Sequence, residues 1–322
     1  MARETGGTPF GSLPPRCTGH SLPNACCSLP AVRNVMLHTR AISSIGVVLI
    51  GVVPALFGPW GVAVAFAALG LLALHEIAAM LALVGYPLLW PIAAPVLVLS
   101  LVAVAAGWPL WTLTGLVALA VLLPGAVIIF RPTLDGTLAT WVGTVFTTLF
   151  VTVPLTHIAL VRALSGVTTG AGTWLTRLET ALGVGSTARG MAWFLFALVT
   201  VWLTDVGAYA VGRAAGRHPL IPVVSPKKTW EGLGGGLVAG GVAASLSNSV
   251  FGLGMVLPIA FLAGIALAGI ATVGDLAESL LKRQTGVKDS GTLIPGHGGV
   301  LDRLDSQLYV FVAVYYLARL IG

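Results

Sequence analysis

The chain has 322 residues, of which 57% are hydrophobic and only 9% are charged, and its mean hydropathy is +0.96. This composition excludes a soluble globular domain, because apolar stretches long enough to cross a bilayer as helices recur along the chain. The net charge of +6 is typical of basic cytoplasmic loops beside anionic lipid, and it does not indicate nucleic acid as a partner.

The first 35 residues differ from the rest. They are rich in Pro, Ser, Gly and Thr and contain no apolar run, which predicts a disordered polar leader and argues against a signal peptide. Met36 is an alternative start of translation. All three cysteines, Cys17, Cys26 and Cys27, lie in this leader, and their odd number indicates neither a disulfide framework nor a zinc site.

Apolar stretches after the leader predict about nine transmembrane helices. Their approximate bounds are 41–57, 60–84, 88–106, 108–130, 138–160, 190–212, 233–251, 255–278 and 306–321. Gly and Pro mark tight turns near Phe57–Trp60, Gly85–Pro87 and Gly107. The predicted fold class is therefore an all-α, polytopic integral membrane protein. It has N-terminal transmembrane helices in 36–189 and a C-terminal region in 190–322 that holds most of the polar motifs.

The basic residues predict the orientation in the membrane. With the N-terminus in the cytoplasm and nine alternating spans, the outer segments hold only four of the 17 Lys and Arg residues, namely Arg162, Arg177, Arg189 and Arg319. An excess of basic residues inside is the expected asymmetry. All four lysines then fall in two predicted cytoplasmic loops, 213–231 and 279–305.

Acidic residues are concentrated on the same predicted side. Glu76, Asp205 and Asp275 lie in the inner halves of three different spans, where burying a carboxylate is costly and therefore suggests a function. We predict a single polar cavity that opens inward beneath the two basic loops. For Glu76, whose neighbour His75 points to another helix face, packing or lining the cavity is the favoured interpretation.

Two pairs of acids have the spacing of metal ligands. Asp275 and Glu278 share one helix face, with Ser279 beside Asp275, and Asp302 and Asp305 are also three residues apart. Carboxylates together with substrate phosphates are the ligands that Mg²⁺ prefers. The alternative is that these acids pair internally with nearby bases, namely Lys282, Arg283 and Arg303.

A second motif, Ser-Pro-Lys-Lys-Thr-Trp-Glu-Gly at 225–232, projects two lysines from a predicted turn or helix start. Lys227 and Lys228 suit phosphate binding as point charges, with Thr229 as a polar neighbour. The alternative is a basic segment that only contacts anionic lipid. The glycines at 232–236 and 240–241 open an apolar span, which favours close helix packing over a nucleotide-binding loop.

Two further polar residues have open interpretations. Asp205 either faces the cavity or forms a buried structural pair with a base such as Arg213. His297, in the flexible run Pro295–Gly299, is equally compatible with a conformational role and with contact to a phosphate.

The order of these residues resembles a known family. Ser279-x2-Lys282-Arg283-x4-Lys288-Asp289-x-Gly291-x2-Ile294-Pro295-Gly-His297-Gly298-Gly299-x2-Asp302-Arg303-x-Asp305 closely resembles the pattern of the phosphatidate cytidylyltransferases, or CDP-diacylglycerol synthases. The motifs at 205–209 and 225–232 are also similar to family elements. The resemblance covers about 190–322, while 41–160 agrees mainly in hydropathy and in the position of Glu76.

The resemblance implies a membrane nucleotidyltransferase of phospholipid biosynthesis that uses CTP and phosphatidic acid and forms CDP-diacylglycerol and pyrophosphate. It implies Mg²⁺ as cofactor, held by Asp275 and Asp302 with Asp305 and Glu278 nearby, and also a monovalent cation such as K⁺. The implied catalytic residues are Asp275, Asp302, Lys227, Lys282 and His297. The implied substrate-binding residues are Ser225, Lys227, Lys228, Thr229, Lys282, Arg283, Lys288, Asp289, Gly298, Gly299, Arg303 and Asp205.

The same resemblance implies a homodimer in the plasma (inner) membrane of a prokaryote, with the active site on the cytoplasmic side. Two alternatives from other classes remain. A CTP-dependent lipid-alcohol kinase of the dolichol or phytol type shares a basic loop and membrane acids. A transporter is disfavoured, because its charges would be spread along a path across the bilayer.

Overall fold

The computed structural model describes residues 51–321 apart from 186, 292 and 294–297. Its helices, in chain order, are α1 (Gly58–Ala82), α2 (Trp90–Ala105), α3 (Leu110–Ile128), α4 (Thr137–Arg162), α5 (Thr173–Leu182), α6 (Ala188–Ala215), α7 (Trp230–Phe251), α8 (Leu257–Gln284) and α9 (Leu301–Ile321). A short 3₁₀ helix, Gly170–Gly172, precedes α5, and residues 51–56 are also helical. The strands β1 (Pro219–Ile221) and β2 (Ser225–Thr229) form an antiparallel hairpin between α6 and α7.

The membrane class is confirmed by the described helices. Six of them, α1, α3, α4, α6, α8 and α9, are long and apolar enough to cross a bilayer. The total of nine spans stays a prediction: α2 has 16 residues, α7 is rich in Gly and Ser, and most of the predicted first span lies outside the described residues. The leader 1–35 lies outside them as well. The predicted turns at Gly58, Gly85 and Gly107 are confirmed, since each of these glycines has a positive φ.

The predicted loop 279–305 is wrong at both ends. Helix α8 continues to Gln284 and α9 begins at Leu301, so Lys282, Asp302 and Asp305 lie on helices. A span predicted from hydropathy stops at the first charged residues. The helix itself continues past them, because its backbone hydrogen bonds do not depend on the polarity of the side chains. The basic residues in the last turn of α8 and the acid in the first turn of α9 also complement the helix dipoles.

The final helix joins the two halves of the chain. It packs against α8 and α6 from the C-terminal half and against α4 from the N-terminal half. Phe194 of α6 is fully buried, and its ring centroid lies 5.3 Å from that of Phe311 in α9. Buried residues from α1, α4, α6 and α9 belong to one continuous hydrophobic core, so the position of α9 depends on both halves.

Glycines set the distance of α7 from its neighbours. A Cβ at Gly207 of α6 would collide with the Ala239 side chain, and one at Gly264 of α8 would collide with the carbonyl oxygen of Gly240. Small residues of this kind allow membrane helices to approach closely. The prediction of helix packing is confirmed for Gly235 and Gly240 of α7, where a Cβ would collide with the Val211 side chain and lie 2.7 Å from the Ala268 side chain, respectively.

A buried ion pair fixes the segment between α4 and α6. Arg162, fully buried at the end of α4, donates from Nη2 to Glu179 Oε1 on α5 at 2.6 Å and from Nε to the Ala55 carbonyl at 2.7 Å. Thr187 accepts from Arg162 Nη1 at 2.8 Å, and its backbone N–H donates to Glu179 Oε2 at 3.1 Å. A buried ion pair tolerates the loss of solvent when further hydrogen bonds of this kind surround it.

Replacing Arg162 by Met leaves the Glu179 carboxylate buried without its cation. We expect this variant to lose about 3–5 kcal/mol of unfolding free energy, measured as a lower thermal unfolding midpoint in detergent. Arg177→Met, on the exposed side of α5, is the matched control and should change stability by less than about 0.5 kcal/mol. Equal midpoints for the two variants would contradict a structural role for the pair.

Candidate active site

Three carboxylates meet where α8 and α9 approach each other. Asp275 and Glu278 on α8 and Asp305 on α9 each offer one oxygen atom, and these atoms lie within 4.8 Å of one another. Gly274 makes the approach possible, because a Cβ there would lie 2.7 Å from the Asp305 carbonyl oxygen. Carboxylate oxygens at this spacing fit a hard divalent cation. The predicted pairing of Asp275 with Glu278 on one face is confirmed.

Lys282 lies one turn further along α8 and contacts two acids. Its Nζ is 2.5 Å from Glu278 Oε2 and 2.6 Å from Asp302 Oδ1. Asp302 also accepts hydrogen bonds from the backbone N–H groups of Ser290 and Gly299, at 3.0 and 2.8 Å. Asp302 therefore lies beside the group of three carboxylates and outside it. The alternative interpretation, that these acids pair with nearby bases, therefore applies to Glu278 and Asp302, which both pair with Lys282.

The basic motif 225–232 reaches the acids from a strand. Lys227 and Lys228 lie on β2, and α7 begins only at Trp230 with Thr229 as its N-cap, so the predicted turn or helix start at Ser225 is wrong. Pairing with β1 keeps this segment extended. Lys228 Nζ forms an ion pair with Asp275 Oδ2 at 2.5 Å. Lys227 is exposed.

Glu231 anchors the hairpin at the start of α7. His218 Nδ1 lies 2.5 Å from Glu231 Oε1, and the backbone N–H groups of Arg217 and His218 donate to Oε2 at 3.1 and 3.3 Å. The hydrogen bond with His218, with smaller contributions from the backbone donors, lowers the pKa of Glu231 to about 2. This carboxylate is therefore ionised at neutral pH and holds both ends of the hairpin together.

A cavity of about 460 Å³ lies between α6, the hairpin, α7 and α8. Polar residues from α6, the hairpin and α8 line it, namely Thr204, Asp205, Tyr209, Arg213, Lys227, Lys228, Thr229, Thr272 and Asp275, and α7 contributes Gly232 and Leu233. Lys228 and Asp275 connect the cavity to the acidic group. The structure describes no ion pair between Asp205 and Arg213; Arg213 Nη1 donates to Tyr209 Oη at 2.8 Å.

Several other predicted residues lie at the edge of this region. Arg283 Nε donates to the Val224 carbonyl at 3.4 Å and so connects α8 to the hairpin. Lys288 and Asp289 are exposed on the loop after α8. Arg303, on α9, interacts electrostatically with Asp205. His297 lies outside the described residues, and its proposed role stays a prediction.

Sequence reasoning missed the partners of Glu76. The Glu76 carboxylate is buried and accepts hydrogen bonds from Ser290 Oγ at 2.9 Å and from the backbone N–H groups of Val300 and Leu301 at 2.8 and 2.9 Å. It therefore packs against the start of α9 and does not line the cavity described above. The cost of placing an acid in a span indicated that Glu76 matters, but no sequence signal indicated its partners.

Gly299 allows this contact. A Cβ on Gly299 would collide with Ser290 Oγ and lie 2.5 Å from Glu76 Oε2. We expect Gly299→Ala to lower the unfolding free energy by about 1–3 kcal/mol through overpacking, measured as a shift of the thermal midpoint. Gly234→Ala on α7 is the control, because a Cβ there would meet nothing within 4 Å. A Gly299→Ala midpoint equal to that of the control would be evidence against this packing.

Comparison with known proteins gives a consistent result. The model of the family described as "Cytidylyltransferase family" matches residues 38–321. The chain is 42% identical over 133 residues to a phosphatidate cytidylyltransferase of Mycobacterium bovis, covering 41% of this chain and 43% of that protein. It is 46% identical over 123 residues to the protein of that name from Staphylococcus epidermidis, covering 38% and 47%.

A third relative, the phosphatidate cytidylyltransferase of Bacillus subtilis, is 44% identical over 131 residues, or 41% of this chain and 49% of that protein. The chain thus spans less than half the length of each of these three curated relatives. The family match is much longer, since it includes both the N-terminal helices and the acidic site.

Proposed function

The chain belongs to the cytidylyltransferase family, and on this premise we propose that it transfers CMP from CTP to phosphatidic acid. The products are CDP-diacylglycerol and pyrophosphate. One observation carries the proposal: the cavity between α6 and α8 brings Lys227, Lys228 and Arg213 together with Asp275 of the acidic group. A site that joins cations to clustered carboxylates fits substrates that carry phosphates and a metal ion.

The cations of the site differ in what they already contact. Lys228 and Lys282 are paired with carboxylates. For Lys227 and Arg213, which line the same cavity, the described residues provide no carboxylate within ion-pairing distance. We assign these two cations to the phosphate groups of the incoming substrates, because both are exposed in the cavity and Lys and Arg donate strong hydrogen bonds to phosphate oxygens.

The acidic group fits Mg²⁺ by its chemistry and spacing. We propose Asp275, Glu278 and Asp305 as the metal ligands. Asp302 either positions Lys282, with which it forms an ion pair, or serves as a further ligand. When bound at these carboxylates, Mg²⁺ would supply positive charge that offsets the negative charge of the phosphates during transfer. A monovalent cation such as K⁺, implied by the family resemblance, is proposed for the same centre.

The proposed reaction is an in-line displacement. An oxygen of the phosphatidate phosphate attacks the α-phosphorus of CTP and forms a new P–O–P linkage. The bond from the α-phosphorus to the bridging oxygen of the β-phosphate breaks, and pyrophosphate leaves with that electron pair. The attacking oxygen is already ionised at neutral pH, so the protein needs no dedicated general base. Its residues orient the two phosphates and neutralise their charge.

The surrounding membrane agrees with a lipid substrate. The exposed Tyr209 lines the cavity together with the apolar Leu220 and Leu233, so a lipid can present its headgroup from the bilayer. We propose that the site faces the cytoplasm, on the basis of the basic residues, and that the membrane is the plasma membrane, on the basis of the bacterial relatives. A homodimer is proposed from the resemblance alone.

Labelled CTP tests the reaction directly. With purified protein, phosphatidic acid and Mg²⁺, we expect label from the α-phosphate to enter the lipid fraction while pyrophosphate is released. Label from the γ-phosphate should stay in the aqueous fraction. Lipid labelled from the γ-phosphate would instead indicate a lipid kinase, and folded protein that labels no lipid from either position would contradict the proposal.

Asp275→Asn tests the acidic group. Loss of one carboxylate charge from the metal site should lower kcat/KM roughly 100-fold or more, since a bound metal supplies several kcal/mol of transition-state stabilisation. Asp135→Asn, in the exposed loop between α3 and α4, is the matched control and should retain activity. Full activity of Asp275→Asn at low Mg²⁺ would show that the metal assignment is wrong.

A further inference from the structure

We infer that Glu76 is a positioning residue for the active site, acting through Ser290 on Asp302. The inference rests on the proposed function, because it assigns a role to a residue that does not itself reach the cavity. Glu76 belongs to α1, in the N-terminal half of the chain, whereas the three acids of the group lie on α8 and α9.

Three donors converge on the Glu76 carboxylate. Oε1 accepts from the Val300 N–H at 2.8 Å, and Oε2 accepts from the Leu301 N–H at 2.9 Å and from Ser290 Oγ at 2.9 Å. The two backbone donors belong to the start of α9, where a negative charge complements the helix dipole. Glu76 thus holds both the loop after α8 and the first turn of α9.

Two glycines of the loop before α9 lie against this carboxylate. A Cβ on Gly291 would lie 2.7 Å from Glu76 Oε1, and a Cβ on Gly299 would lie 2.5 Å from Oε2. Only glycine therefore fits at either position without displacing the carboxylate. Both glycines belong to the polar run that resembles the family pattern. Their contact with Glu76 of α1 explains why glycine is required at these two positions.

Ser290 connects Glu76 to Asp302 through hydrogen bonds. Its hydroxyl lies 2.9 Å from Glu76 Oε2 and 3.0 Å from Asp302 Oδ2, so one hydrogen serves two carboxylates. The backbone N–H of Ser290 also donates to Asp302 Oδ2 at 3.0 Å. Asp302 in turn contacts Lys282, which contacts Glu278 in the acidic group. A continuous series of polar contacts therefore leads from α1 to the metal site.

A purely structural cap on α9 is the competing explanation. A cap would affect folding stability and leave the chemistry of each folded molecule unchanged. A positioning residue would change the rate and the metal affinity in molecules that are still folded, because the ligands would be held in the wrong place. The two explanations therefore differ in what they predict for folded protein.

The test compares Glu76→Gln and Ser290→Ala with Glu179→Gln. Gln at position 76 replaces one acceptor oxygen by an amide that faces N–H donors, and Ala at 290 removes the hydroxyl bridge while it leaves the bonds from Glu76 to α9. Glu179 is an equally buried acid that pairs with Arg162, outside the acidic site. Its variant controls for the general effect of neutralising a buried carboxylate.

Two readouts are measured on the folded fraction of each full-length protein in detergent. Mn²⁺ binding, followed by electron paramagnetic resonance, reports the metal site without any need for turnover. CMP transfer gives kcat and the KM for CTP. We expect Glu76→Gln to weaken Mn²⁺ binding and lower kcat on the order of 10- to 100-fold, with a smaller effect in the same direction for Ser290→Ala. Glu179→Gln should lower only the thermal midpoint.

Unchanged Mn²⁺ affinity and kcat in both Glu76→Gln and Ser290→Ala would overturn the inference and leave Glu76 as a structural cap. If Glu76→Gln does not fold, Ser290→Ala decides by the same two readouts. Wild-type protein that binds Mn²⁺ but transfers no CMP would overturn the proposed function, and the Mn²⁺ comparison would still decide the role of Glu76.

Discussion

A single ammonium group, Lys282 Nζ, lies between the carboxylates of Glu278 on α8 and Asp302 on α9, at 2.5 and 2.6 Å. Glu278 is almost completely buried, and a carboxylate in such surroundings is stable only when a counter-charge lies close to it. Lys282 supplies that charge for acids on two helices at once. This contact joins α8 to α9 in the region where Gly274 lets the two backbones approach at Asp305.

The hairpin brings a second cation, Lys228, to another acid of the group, Asp275. Lys228 contacts Asp275 because β2 holds it in an extended segment, and Glu231 closes that segment through His218. The acidic group therefore has one lysine from its own helix and one from the hairpin. This arrangement reduces the mutual repulsion of the carboxylates while their oxygens remain close enough to share a cation.

Glycine has two separate roles in this protein. In α6, α7 and α8 it lets helix backbones approach, as at Gly207 and Gly264. At Gly291 and Gly299, in the loop before α9, it lets the backbone lie close to the Glu76 carboxylate. The first role depends on helix packing in the membrane, and the second depends on a buried charge that needs backbone donors.

The amino-acid sequence by itself determined the membrane class, the places of most helices, and the residues that form the acidic and basic motifs. These properties are local, since hydropathy and the three-residue spacing of Asp275 and Glu278 depend only on neighbours along the chain. The end of α8 was not predicted, because Lys282 and Arg283 are charged and a hydropathy pattern stops at such residues although the helix does not.

Only the tertiary structure decided which charges meet. The hydrogen bond from Val300 to Glu76 joins residues 224 positions apart, and Lys282 of α8 forms an ion pair with Asp302 of α9. No periodicity connects such positions, because their proximity arises from the packing of α9 against both halves of the chain. The sequence identified Glu76 as an acid that is costly to bury, and the fold supplied the three donors that make its burial stable.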